Sequence, residues 1–170
     1  LTKEFLVTDV DEPLDKYIGK LLSAKNKTLG TAESCTGGYI AHLITSHPGS
    51  SKYFKGIIVS SDNEIKENLL NVSNQPLQTC GAVSEETVKE MLSGLLKKIK
   101  ADFGIAVSGI MGPDGGTPEK PVGTVWIAVG DQQNIITQKI NLRFDRSRNI
   151  ELTALNALNN LRKFILSGPG

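Results

Sequence analysis

The sequence predicts a single α/β domain of three-layer type, with helices covering both faces of a mixed, partly parallel sheet. Three observations carry this reading. Short β-branched runs alternate with amphipathic stretches of helical period along most of the chain, which is the pattern of βα units. A length of 170 residues suits one domain with its own core. Late in the chain two strand-like runs meet near Gly130 and Asp131, which predicts a hairpin that adds antiparallel strands.

The elements come in order. Leu14, Ile18, Leu21 and Leu22 recur at helical spacing, so 13–25 reads as a helix started by Asp11 or Glu12 with Pro13. A short strand over 28–32 precedes a second helix over 37–45, with Ile40, Leu43 and Ile44 on one side. HPGSS at 47–51 is turn chemistry. The β-branched run Ile57, Ile58, Val59 predicts a buried strand. Asp62 or Asn63 is placed to cap a helix carrying Ile65 and Leu69, and a loop through Pro76 is expected after it. Ser84 is a good N-cap, with Glu85 and Glu86 in the first turn where the helix dipole favours anions. Val88, Met91, Leu92, Leu95 and Ile99 complete the apolar stripe of that helix. Residues 103–107 read as another buried strand, 124–129 and 135–143 as the hairpin, and 147–166 as the last helix.

Composition excludes several classes. Nineteen Lys and Arg against eighteen Asp and Glu leave a formal net charge of +1, without the basic excess that nucleic-acid binding usually shows. No apolar run approaches the length of a membrane span. Two cysteines, Cys35 and Cys80, build neither a disulfide scaffold nor a four-thiolate zinc site, and their scarcity fits a reducing, cytoplasmic setting. His42 and His47, the only histidines, are five apart. That is not metal-ligand spacing on a helix, so no metal site is expected.

Chemistry could sit at four places. TAESCTGG, 31–38, joins a strand to a helix. Glycines there admit close backbone approach, and a helix start favours an anion or a developing oxyanion. Ser34 is presented much as a nucleophile elbow presents its serine; alternatively Ser34 or Thr36 is a plain helix cap. Cys35 reads as a structural thiol, since no obvious His-based activating constellation follows it. The run SGIMGPDGGTPEKPVG, 108–123, holds five Gly and three Pro and also comes directly after a strand. Two such loops at two strand ends can converge on one pocket. Lys66 is either solvated surface or, if desolvated, a base able to take a proton from a serine. Arg143, Arg146 and Arg148 are either surface cations beside Asp145 or forks for a phosphomonoester.

Taken together, TAESCTGG (31–38), PGSSKYFKG (48–56), GAVS (81–84) and SGIMGPDGG with KPVGTV (108–125) resemble the C-terminal domain of competence/damage-inducible protein CinA. That family includes stand-alone nicotinamide mononucleotide deamidases. The resemblance implies hydrolysis of the carboxamide of nicotinamide mononucleotide to nicotinate mononucleotide and ammonia, in pyridine-nucleotide salvage, by a serine amidase needing no metal or cofactor. The family serine falls on Ser34 and the family lysine on Lys66. Substrate contacts are expected from Glu33, Thr36, Gly37, Gly38, Asn63, Gly109, Gly112, Gly115, Gly116, Arg146 and Arg148. The family run F-x-G-G-x-V-x-Y-S-N-E-x-K reads FKGIIVSSDNEIK here, 54–66. Its catalytic Tyr is therefore Ser61, and Met111 replaces the Ala of GIAGP. Ser61 with a water, or Tyr53 reaching in, would have to cover the missing phenol; otherwise this copy is a binding or regulatory domain. The resemblance also implies that 1–12 links to a preceding domain similar to molybdopterin-binding proteins. Residues 13–166 would then form the domain and 167–170 a flexible tail. A homodimer or higher homo-oligomer is expected on general grounds.

Overall fold

The computed structural model describes residues 12–168. The expected linker, up to residue 11, and the last two residues of the expected tail lie outside the described residues. The order is α1 (Leu14–Lys25), β1 (Leu29–Glu33), α2 (Tyr39–Thr45), a 3-10 turn (Ser50–Lys52), β2 (Phe54–Val59), α3 (Asn63–Leu70) and α4 (Asn74–Thr79). It continues with α5 (Glu85–Ile99), β3 (Phe103–Gly109), β4 (Thr124–Gly130), β5 (Ile135–Asn141) and α6 (Arg146–Ser167). The five strands form one sheet in the order β2-β1-β3-β4-β5. β1 runs parallel to β2 and β3, and β4 and β5 add antiparallel. The three-layer α/β architecture with a mixed sheet is the one the alternation predicts.

Strand residues alternate between two cores, as the pleat requires. Ile105, Val107, Val125, Ile127 and Val129 face α1, α2 and α6. Ala32, Ala106 and Ala128 face Leu92, Leu95 and Leu96 of α5 and Leu70 of α3. The small residues let α5 sit low on the sheet. A Cβ at Gly104 would stand 2.5 Å from Leu92 Cδ1. The caps obey sequence logic: Ser84 Oγ accepts from Thr87 N at 3.2 Å, and Asp145 Oδ1 accepts from Arg148 N at 2.9 Å.

Four expectations change. Residues 74–79 form helix α4 rather than a loop. Pro76 stands in its first turn, where a missing N–H removes no helical bond. β2 is an edge strand, not a buried one, and its Val59 is 43% exposed. On α3, Ile65 and Leu69 face outward, while Lys66 and Leu70 are buried. Both pairs have i, i+4 spacing one residue apart, and packing against α5 selects the second. The hairpin turn is confirmed in detail, since Asp131 Oδ1 accepts from both Gln133 N and Asn134 N. β5 ends at Asn141 rather than at residue 143.

Candidate active site

The chain leaves β1 toward α2 on one face of the sheet and leaves β2 toward α3 on the other. Adjacent parallel strands whose connections depart to opposite faces open a crevice at their carboxyl ends. Ser34 and Lys66 meet in that crevice. Ser34 is the first residue beyond β1, and its N–H extends the ladder to Val107 O at 3.2 Å. Asp62 caps α3 by accepting from Glu64 N at 2.7 Å, which sets the helix turn that aims Lys66 inward. Lys66 is only 1% exposed. Its Nζ lies 3.2 Å from Ser34 Oγ, 2.5 Å from Ser60 O and 3.4 Å from Ser61 O.

No carboxylate pairs with this amine at ion-pair distance among the described residues. Burial lowers the Lys66 pKa, and the neighbouring Cys35 and Asp62 only partly oppose the shift. All three neighbours can accept a hydrogen bond, so they match the three donors of the ammonium. Two of them are carbonyls, which only accept, so on loss of a proton the two remaining N–H groups can stay on these and leave the lone pair for the Ser34 hydroxyl. Cys35 offers no competing nucleophile. Burial, aided by Glu33, pushes its thiol up to about 12, so it stays protonated near neutrality.

Glu33 is expected from the resemblance to touch substrate, and the structure corrects this. It is 0% exposed. Its Oε1 accepts from Thr36 Oγ1 (2.6 Å), Gly38 N (3.2 Å) and Ile40 N (3.0 Å), and its Oε2 from Thr31 Oγ1 and Ala41 N (both 3.0 Å). The start of α2 is therefore capped by Glu33, not by Ser34 or Thr36, and is not free to receive an oxyanion. Buried Thr36 belongs to the same network. Gly37 and Gly38 hold φ of +60° and +105°, the left-handed region that only glycine enters cheaply. Within the turn, the N–H groups of Cys35 and Thr36 make no backbone hydrogen bond among the described residues.

The second loop reaches the same strand ends. Gly109 closes β3 beside the ladder bond of Ser34. Asn149 Nδ2 donates to Met111 O at 2.9 Å and Arg146 Nη1 to Gly112 O at 2.7 Å, so the start of α6 pins the loop. Between them lies a cavity of about 410 Å³ lined by Met111, Gly112, Pro113, Phe144 and Arg146. Gly115 and Gly116 are exposed farther out. There the loop is tied by Thr117 N to Lys120 O at 2.9 Å and by Lys120 Nζ to Cys80 O. They shape a turn: a Cβ at Gly116 would stand 2.6 Å from Val122 N.

Other expected site residues do not converge. Arg148 pairs with Glu151 at 3.0 Å, and Arg143 is exposed beyond β5. Asn63 is an exposed first residue of α3. Ser61 is exposed and meets Lys66 only through its carbonyl. Tyr53 cannot replace the phenol. It stands at the start of β2, the end away from Ser34, with its ring against Gly19 of α1. His47 pairs with Asp15 and has no part in the site. The sequence reading missed Ser60, whose carbonyl is the shortest Lys66 contact and whose hydroxyl is buried without a protein partner. A carbonyl is common to every residue, so no sequence signal could have marked it. Among the described residues no cluster of His, Cys, Asp or Glu could hold a metal ion, and no helix is long and apolar enough to cross a membrane.

Fold and site together define a three-layer α/β domain with a buried lysine set against a serine at its strand ends. The family model described as CinA C-terminal domain matches residues 11–165. The chain is 51% identical over 152 residues to a CinA-like protein of Cytophaga hutchinsonii, covering 89% of this chain and 36% of the relative. It is 44% identical over 164 residues to a CinA-like protein of Thermotoga maritima, covering 96% and 40%. It therefore spans about two fifths of the length of these relatives. Among solved structures, it superposes on the competence damage-inducible protein A of Klebsiella pneumoniae with a TM-score of 0.89 at 33% identity, covering 92% of this chain and 97% of the other. The competence/damage inducible protein CihA of Agrobacterium tumefaciens gives a TM-score of 0.87 at 36% identity, covering 88% and 92%. The chain belongs to the CinA C-terminal domain family.

Proposed function

We propose that this domain hydrolyses the carboxamide of nicotinamide mononucleotide, releasing nicotinate mononucleotide and ammonia. The observation that carries the reading is the buried Lys66 amine 3.2 Å from Ser34 Oγ with only neutral partners. In this reading neutral Lys66 takes the hydroxyl proton as Ser34 Oγ attacks the amide carbon. The N–H groups of Cys35 and Thr36, next in the chain after the nucleophile, receive the developing oxyanion. The Lys66 ammonium returns the proton to the departing nitrogen, and ammonia leaves an ester on Ser34. Lys66 then deprotonates a water that attacks the ester, and the proton passes back to Ser34.

The nucleotide phosphate is assigned to Arg146. One of its N–H groups is spent on Gly112 O, leaving four of the five guanidinium donors. The cavity beside it has room for the ribose phosphate. Ser61 supplies no phenol, so this copy works by the serine–lysine pair alone, at a reduced rate. General acid–base groups typically contribute ~10²–10⁴-fold. The test is ammonia release from nicotinamide mononucleotide by the native chain, Ser34→Ala and Lys66→Met. The expected result is turnover in the native chain, none in Ser34→Ala, and a loss of ~10²–10⁴-fold in Lys66→Met. Equal turnover in all three would reject the reading. The alternative, a pocket that binds the nucleotide without turning it over, is favoured by the exposed Ser61. It predicts saturable binding that Ser34→Ala leaves unchanged and no ammonia from any variant.

A further inference from the structure

We infer that Glu33 is a positioning residue, whose buried carboxylate clamps the turn between β1 and α2 and so sets where Ser34 Oγ stands against Lys66. This rests on the reading of Ser34 as the nucleophile. The backbone of Glu33 is fixed by the sheet: β1 pairs on both sides, and Ser60 N donates to Glu33 O at 2.9 Å. Its side chain grips the turn and the start of α2, through Thr36, Gly38, Ile40 and Ala41. One residue thus holds both ends of the short turn that begins with Ser34.

Within the turn the backbone adds only Gly37 N to Ser34 O at 3.2 Å and Tyr39 N to Thr36 O at 3.0 Å. A Cβ at Gly37 would meet nothing within 4 Å, one at Gly38 only the Ile57 and Val59 side chains at 3.8 and 4.0 Å, and both glycines occupy conformations an ordinary side chain avoids. Without the clamp, this glycine pair gives the adjoining serine more freedom to shift. The carboxylate is also saturated. Five donors, two of them hydroxyls and three backbone N–H groups, occupy its two oxygens. It has no free face for substrate. Its hydrogen bonds all go to β1, the turn and the start of α2, and none goes to Lys66. The residue therefore acts through geometry, on Ser34.

Glu33→Gln tests this without changing the side chain's length. Either amide orientation turns an NH₂ toward a backbone donor: Ala41 N at one oxygen, Gly38 N and Ile40 N at the other. Thr36→Val removes a single bond of the clamp and keeps the rest. The readout is the rate at which a fluorophosphonate probe labels Ser34 in the intact chain, measured by mass spectrometry across pH. Kinetics on nicotinamide mononucleotide run in parallel. A displacement near 1 Å can lower a rate by ~10²-fold, and a labelling loss of that order is expected for Glu33→Gln. Thr36→Val should lose less. The pH midpoint of labelling should stay in place in both, and KM should stay within about twofold, since no substrate contact is removed.

Native labelling rates in both variants would overturn the inference. A raised KM with kcat kept would overturn it too, by making Glu33 a substrate contact; a shifted midpoint would do so by making it an electrostatic partner of Lys66. If circular dichroism shows Glu33→Gln unfolded, Thr36→Val decides alone. A native chain that labels at Ser34 yet leaves nicotinamide mononucleotide intact rejects the proposed substrate, and the labelling rates still judge the clamp.

Discussion

A buried amine is expensive, and Lys66 carries that expense in the folded state. Its pKa is lowered by burial, so between the folded value and the ordinary ~10.4 the unfolded chain binds a proton that the native chain does not. Stability contributed by this group therefore rises with pH across that window, and below the folded pKa the penalty is complete. Urea unfolding at a series of pH values should show the stability of Lys66→Met, relative to native, falling as pH rises through the window. A constant difference would mean that Lys66 is not desolvated. The same titration governs activity, which should rise with pH and level off below the usual lysine range. Ser61→Tyr returns the phenol that the resemblance implies to position 61, and kcat should rise by ~10²-fold or more; an unchanged rate would show that the pair works without one. At this scale the sequence was legible for Ser34 and Lys66, through motifs that resemble a family's. It was not legible for Glu33, whose role depends on N–H groups five to eight residues further on. For Tyr53 the chain order was informative, since it precedes the strand that Ser61 and Lys66 come after.

Helix α3 has to hold Lys66 at the strand ends, and α5 holds α3. The crossing is close: a Cβ at Gly94 would stand 1.7 Å from Leu70 O, a backbone atom that no rotamer change can move. Gly94→Ala should therefore push α3 outward. Overpacking typically costs about 1–3 kcal/mol, and the shift should also lower the Ser34 labelling rate because Lys66 moves with its helix. Thermal unfolding with labelling checks both, and a variant with native Tm and native labelling would show the crossing to be slack. The long helix α5 was readable, since Val88, Met91, Leu92 and Leu95 keep one period and are all buried. The short helix α4 has six residues, too few to display a period, and a proline that reads as loop. The inward face of α3 was misread because a lysine sits in the row that packs. Hydrophobic pattern cannot announce a polar residue buried for its chemistry.

The described residues form one sheet shared by two cores, so the crevice between the ends of β1 and β2 is as rigid as the packing on both faces. Leu92→Ala on one face and Leu158→Ala on the other, both fully buried, should each cost about 2–5 kcal/mol. A ligand that binds only the folded chain stabilises it by ~2.7 kcal/mol at a hundredfold excess over Kd. Nicotinamide mononucleotide should therefore raise Tm by several degrees, and Arg146→Ala should shrink that rise; an unmoved Tm would remove the substrate. The three-layer architecture was legible because strand and helix periods alternate along the chain. The position of β2 at the edge was not, since sheet order depends on which helix covers which face. If Ser34, activated by Lys66, attacks the amide, an acyl-enzyme must form on that serine. Acid-quenched mass spectrometry of the chain mixed with nicotinamide mononucleotide looks for it. A nicotinate mononucleotide ester is expected on the peptide bearing Ser34, absent in Lys66→Met. Product formed with Ser34 unmodified at every quench time, or an adduct on Cys35 instead, would contradict it.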